Sequence, residues 1–216
     1  MKQETHIWLI RHGETVWNAA RRLQGWQDTA LNEVGEQQAR DLAGFLASEH
    51  FGVQFDHVIS SDLQRAAATA AIACAHTGLP VVLDGGFRER GFGVLEGRSW
   101  DSFGGRVPDQ PSQSVEDSPQ GGESILVFQQ RVLSAVQALA QRYPGQKLAV
   151  FTHGGVIDMV WRRLLRVDLF APRTQTILNT SINHFSVSPL EQGGEWVLQR
   201  WGLASHIDAG ALDDLG

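Results

Sequence analysis

Cysteine is nearly absent from the 216 residues. Cys74 stands alone, so neither an internal disulfide framework nor a cysteine-rich zinc site can be built. Lysine is scarce too: Lys2 and Lys147 are the only two, and arginine supplies 16 of the 18 Lys+Arg residues. An excess of basic charge is also missing, since 24 Asp and Glu outweigh those 18 and leave a net charge of −6. That balance argues against nucleic-acid or anionic-membrane partners, which call for a cationic surface. No apolar run approaches the ~20 residues needed to cross a bilayer. The opening MKQETHIWLIRHGE has a short apolar stretch without a small-residue cleavage site, so it does not read as a signal peptide. A cytoplasmic location is the expectation.

What is present is an ordinary globular composition, 42% hydrophobic and 19% charged. A chain this long buries a large core as one domain or at most two. It shows no internal repeat and no linker, so a single domain over 1–216 is expected. Short apolar runs alternate with helical periodicity. His6–Ile10, His57–Ser61, Val81–Leu83 and Lys147–Thr152 read as strands, with Ser181–Val187 and Trp196–Trp201 as two closing strands. Leu31–His50, Asp62–His76, Ser124–Tyr143 and Val156–Arg166 read as helices. Asn32 is a candidate N-cap, and Gly35 looks like a weak spot just after it. Residues 97–123 (GRSWDSFGGRVPDQPSQSVEDSPQGGE) are rich in Gly, Ser and Pro and lack a period, which suggests a long loop or lid. The acidic tail after Leu203 reads as frayed. The alternation as a whole implies an α/β fold, a sheet sandwiched by helices.

Two strand ends carry a histidine followed by glycine: Arg11-His12-Gly13-Glu14-Thr15 and Thr152-His153-Gly154-Gly155. Ligands of open α/β sheets sit outside the carboxyl ends of strands, so both histidines are expected in one crevice. Glycine after each lets the chain turn and lets a ligand approach backbone N–H groups. A neutral imidazole can act as a nucleophile, and an arginine fork suits phosphate oxygens. Arg11 adjoins His12, and Arg65 lies just beyond the exit of the strand HVISS. Such donors converging on one point describe a phosphoryl or sulfuryl site. A zinc site at His12 and His153 is disfavoured, because no third ligand is evident and the arginines oppose a cation.

These residues carry a resemblance. Arg11-His12-Gly13-Glu14-Thr15, with Asn18 after it, resembles the signature of the histidine phosphatase superfamily, the phosphoglycerate-mutase-like fold. Further blocks follow in the family's order: Leu31-Asn32-Glu33-Val34-Gly35 with Gln38-Ala39, and Ser60-Ser61-Asp62-Leu63-Gln64-Arg65-Ala66. Then come Arg88-Glu89 with Phe92-Gly93 and Glu96-Gly97, Gly121-Gly122-Glu123-Ser124, and Thr152-His153-Gly154-Gly155. The resemblance spans about residues 6–187. It implies a three-layer α/β/α sandwich with a mostly parallel central sheet, and metal-free phosphoryl transfer through a phosphohistidine. Carried over by position, His12 is the nucleophile, and Arg11, Arg65 and His153 hold the phosphoryl oxygens with Asn18 assisting. Glu89 is the proton donor and later the base for water, while Glu96 falls at a structural turn. His12 needs a free ring nitrogen for attack, so its other nitrogen should donate to a backbone carbonyl. Trp17, Trp100 and Phe103, beside the site loops, are candidates for the substrate pocket, as is Trp26.

The same machinery supports hydrolysis and mutase chemistry. Bisphosphoglycerate-dependent mutases of this family carry a longer insertion before the GES motif, rich in basic and aromatic residues. Here only 24 residues separate Gly97 from Gly122, with Arg98 and Arg106 the sole basic ones. The chain therefore resembles the compact phosphatase branch. The expectation is a metal-independent phosphatase of small phosphorylated metabolites, needing no cofactor. A phosphoglycerate mutase primed by 2,3-bisphosphoglycerate is the alternative, and an inactive phospholigand-binding module a third reading. A monomer and a homodimer are both compatible with the sequence.

Overall fold

Alternation of apolar side chains sets the architecture. The computed structural model describes residues 3–103, 117–207 and 212–213. Its elements run β1 (Thr5–Arg11), the one-turn α1 (Val16–Ala19), α2 (Glu33–Leu46), β2 (His57–Ser60) and α3 (Gln64–Ala73). They continue with β3 (Val81–Leu83), α4 (Ile125–Arg142), β4 (Lys147–Thr152), α5 (Gly154–Leu165), β5 (Ile182–Val187) and β6 (Trp196–Leu203). In β1, Ile7 and Leu9 join one core with Ile59, Leu148 and Val150, packed under α4 and α5. Trp8 and Ile10 point the other way, into a core with Val58, Ala149 and Phe151, packed under α2 and α3. Period-two alternation thus gives one sheet two buried faces.

The sheet has the order β3-β2-β4-β1-β5-β6. β1 pairs parallel with β4, β4 with β2, and β2 with β3. Only β5 opposes the rest, antiparallel to both β1 and β6. This is the expected three-layer sandwich with a mostly parallel sheet. In the register of the central pair, Arg11 faces Thr152, and His12 N–H donates to the Thr152 carbonyl at 2.9 Å. Ser61 N–H donates to the Phe151 carbonyl at 2.9 Å on the other side of β4. Three neighbouring strands therefore release His12, His153 and Ser61 at one edge.

Several sequence expectations need correction. The first long helix is shorter than 31–50, because Asn32 caps it through Gly35 N–H at 2.8 Å and Ala47 closes it. Gly35 is not a weak spot but a requirement. A Cβ there would collide with the backbone of Glu14, and one on Gly13 with the backbone of Gly35. α3 stops at Ala73 and passes through a 3-10 turn to Gly78, whose φ of 68° suits glycine. α5 starts at Gly154 rather than Val156. Cys74 is buried in the core, as expected of a small apolar side chain.

The lid reading of 97–123 falls largely on residues 104–116, outside the described residues. Its near end is anchored: Trp100 N–H donates to the Arg21 carbonyl at 2.9 Å. Nor is the tail frayed throughout. Leu212 and Asp213 are hydrogen-bonded back onto the domain, the Leu212 carbonyl accepting from Asn179 N–H at 3.2 Å. Among the described residues no helix is long and apolar enough to cross a membrane.

Candidate active site

His12 is fixed by its own loop. Its Nδ1–H donates to the Gly13 carbonyl at 2.7 Å, which leaves the lone pair on Nε2. Asn179 Nδ2 donates to the His12 carbonyl at 2.8 Å and holds the backbone. Gly13 N–H donates to Thr69 Oγ1 at 3.0 Å, tying the loop to α3. Burial, then the charges of Arg65 and Arg11, hold the His12 imidazole well below its ordinary range, against a smaller opposing effect of the Gly13 bond. The neutral ring is therefore favoured at physiological pH.

His153 lies against it, with ring centroids 5.1 Å apart. Arg65 Nε–H donates to His153 Nδ1 at 3.3 Å. That bond makes Nδ1 an acceptor, so the proton is on Nε2 and donates to Ser61 Oγ at 2.8 Å. Burial first, then Arg65, His12, Arg11 and Arg131, keep this imidazole neutral too. Arg65 is fully buried and spends both Nη atoms on carbonyls, Gln27 at 2.9 Å and Gly25 at 2.8 Å. Its fork is locked in one orientation. Arg11 is equally buried, with Nη1 donating to the carbonyls of Ile177 at 2.6 Å and Leu212 at 2.9 Å.

Glu89 approaches from the other bank. Oε1 accepts Arg90 N–H at 2.9 Å, and Oε2 accepts Gly155 N–H at 3.1 Å in the first turn of α5. The Glu89 backbone is braced as well, its carbonyl accepting from Trp26 Nε1 at 2.7 Å and Arg131 Nη2 at 3.1 Å. The two arginines that flank Glu89 reach other segments as well. Arg88 turns to Asp62, with Nε to Oδ1 at 2.7 Å, and Arg90 donates to the Glu123 carbonyl. Glu96 is structural, its Oε1 accepting the N–H groups of Trp26 at 2.9 Å and Phe92 at 3.0 Å.

Two cavities meet at Glu89. The smaller, about 30 Å³, is walled by His12, Arg65, Arg22, Gln24 and the Leu23–Gly25 turn. The larger, about 240 Å³, runs toward α5 and the 169–173 loop. Glu89, Phe92 and Trp100 belong to both walls. Arg11 and His153 do not line the small cavity; His153 lies against two residues that do, His12 and Arg65. Asn18 serves a capping box with Thr15: Thr15 N–H donates to Asn18 Oδ1, and Asn18 N–H to Thr15 Oγ1, both at 3.1 Å. Asn18 and Trp17 line a third cavity with Trp100, Leu212 and Asp213. Phe103 is half-buried and lines none of these three.

Arg22, Gln24, Ser61, Arg131 and Asn179 went unread in the sequence. Arg131 has the most partners: Nε and Nη2 grip Glu123 at 2.8 and 2.7 Å, and Nη1 donates to the carbonyls of Gly86 and Arg88, both at 2.9 Å. The Glu123 that the GES block supplied is thus an anchor for the segment bearing Glu89. Among the described residues no group of three or more His, Cys, Asp or Glu could hold a metal ion.

Two histidines at adjacent strand exits, a locked arginine and a facing carboxylate define a phosphoryl-transfer site of the histidine phosphatase kind. The chain belongs to the histidine phosphatase superfamily (branch 1), whose family model matches residues 7–204. It is an enzyme of that type. It is 38% identical over 208 residues to phosphoglycerate mutase-like protein 4 of Arabidopsis thaliana, covering 94% of this chain and 86% of that one. A mycobacterial glucosyl-3-phosphoglycerate phosphatase superposes with a TM-score of 0.75 at 28% identity, covering 91% of this chain and 98% of the other. A phosphoserine phosphatase from Entamoeba histolytica gives 0.78 at 28%, covering 94% and 98%.

Proposed function

We propose that the chain hydrolyses small phosphomonoesters through a phosphohistidine, without a metal ion. The observation that carries this reading is the position of Glu89 on the common wall of the two cavities. A phosphoryl group in the 30 Å³ cavity faces His12, and its alcohol extends into the 240 Å³ cavity. The bridging oxygen then falls beside the Glu89 carboxyl.

His12 Nε2 attacks phosphorus, and the P–O bond to the alcohol breaks. Glu89 gives its proton to the departing oxygen. Water then attacks the phosphohistidine, Glu89 takes a proton from it, and inorganic phosphate leaves. Phosphoryl transfer asks mainly for positioning and charge neutralisation, which the locked Arg65 and the Arg11 charge supply. His153 orients Arg65 and backs His12. Two backbone N–H groups fix the orientation of the Glu89 carboxyl beside the bridging oxygen.

The test is phosphate release from a panel of esters by chelator-treated wild type, His12→Ala and Glu89→Gln. The panel includes 3-phosphoglycerate with bisphosphoglycerate primer. Release lost in His12→Ala is expected. Glu89→Gln should slow alkyl esters about 10²–10⁴-fold and nitrophenyl esters far less. Isomer formation without free phosphate would instead establish a mutase.

A further inference from the structure

We infer that the leaving group accepted by this site is uncharged and largely apolar, a short alkyl or aryl alcohol. The inference rests on the phosphatase reading and goes on to name its substrate class. The larger cavity is lined by Phe92, Trp100, Ile125, Phe128, Met159 and Phe170. Its volume, about 240 Å³, is a little under the ~300–1,000 Å³ of pockets for drug-sized ligands, which suits a compact group.

Among the described residues, three arginines also reach this wall and could meet a second anionic group on the substrate. Each is engaged by the protein. Arg162 is paired with Asp158 at 2.7 Å and donates to the Asp168 carbonyl at 2.5 Å. Arg173 is paired with Asp213. Arg90 donates from Nε and Nη2 to the Glu123 carbonyl at 2.9 and 2.7 Å and lies over the Phe92 ring. Gln175 Nε2 fills the other oxygen of Asp158 at 2.7 Å. Asp158 and Asp213 thus carry the charges of Arg162 and Arg173, while Arg90 is held on the Glu123 carbonyl. Among the described residues, a carboxylate on the alcohol side could be paired by Arg162 or Arg173 only by drawing it from its own carboxylate. An apolar group meets aromatic and aliphatic walls and gains by leaving water.

The test uses the n-alkyl phosphates from propyl to hexyl, with 3-phosphoglycerate as the charged comparison. The expected kcat/KM rises about fourfold per methylene, the equivalent of ~0.8 kcal/mol per buried CH₂, or roughly 60-fold across the series. 3-Phosphoglycerate should fall below propyl phosphate. A flat or falling series, or preference for 3-phosphoglycerate, overturns the inference while leaving the phosphatase reading intact. Failure of that reading looks different, as no phosphate from any ester. In that event calorimetric titration with the matching n-alkyl phosphonates decides: fourfold tightening per methylene upholds the apolar site, and constant affinity overturns it. Phe170→Arg places a cation at a partly exposed position of the wall. It should cut the hexyl-to-phosphoglycerate ratio at least tenfold, and an unchanged ratio would also overturn the assignment.

Discussion

Gly155 and Glu89 share one small volume. The Gly155 N–H donates to Glu89 Oε2 at 3.1 Å, and a methyl group on Gly155 would collide with Oε1 of the same carboxylate. Glycine at 155 is thus a condition for the position of the Glu89 carboxyl, the proposed proton donor. Gly155→Ala should push the carboxyl aside, since its far end is mobile and the backbone is not. Hydrolysis of alkyl phosphates is expected to fall roughly 100-fold, the low end of what general acid help provides. Thermal melting should change little. Unaltered turnover in this variant would remove Glu89 from the reaction.

The two neutral imidazoles predict how pH acts. In the unfolded chain His12 and His153 take up protons as pH falls through about 6.5. Folded, both are held well below that value by burial and by arginines. The stability tied to their neutrality is complete above about pH 6.5 and is lost as pH falls toward the folded values. Each contributes up to ~1.4 kcal/mol per pH unit in that window. Denaturant melts at pH 7.5, 6.5 and 5.5 read this slope. If His12 is the nucleophile, as proposed, kcat/KM should show no acid limb centred near 6.5 due to it.

Arg131 should matter to activity despite touching neither cavity. It holds Glu123 and three carbonyls of the 86–89 segment. Arg131→Met leaves Glu123 half-buried without its partner. The expected cost is about 2 kcal/mol, less than the 3–5 of a fully buried pair because both side chains keep some solvent contact. Turnover should fall with it, and a cycle with Glu123→Gln should show coupling above ~0.5 kcal/mol. Additive losses would mean that the pair does not act as one brace.

The docked tail is the fourth case. Leu212 offers its carbonyl to Arg11, and Asp213 accepts from Ile177 N–H at 3.1 Å and pairs with Arg173. A chain ending at Ile207 takes one partner from each arginine at once. Loss of one positioning bond, worth ~1.4 kcal/mol, translates into about a tenfold lower kcat/KM. Steady-state kinetics of the shortened chain against the full one measure this, and equal values would show the tail to be passive.

The sequence disclosed features whose causes are local. The two His-Gly strand exits, the Asn32 cap and the alternation in β1 each follow from a few adjacent residues. Arg131 and Asn179 escape such a reading because their partners are fixed only by folding. Asn179 meets His12 across 167 positions, and Arg131 meets Glu89 across 42. Gly35 was misread for a related reason. Helix propensity counts glycine as a local cost, whereas here the backbone of Glu14 occupies the space a Cβ would take. The tail was misjudged on its composition, which carries no trace of the waiting Arg11 and Arg173.

Trp100 belongs to the walls of all three cavities around the site. One indole therefore borders the cavity at His12, the cavity running toward α5 and the cavity beside the tail; under the proposed hydrolysis the first two take the phosphoryl group and the alcohol. A substitution there cannot retune the alcohol compartment alone, since the same ring walls the other two. In adaptive terms the position is pleiotropic. Shifts in substrate preference are more readily gained at Phe170 or Met159, which border the alcohol compartment but neither of the others.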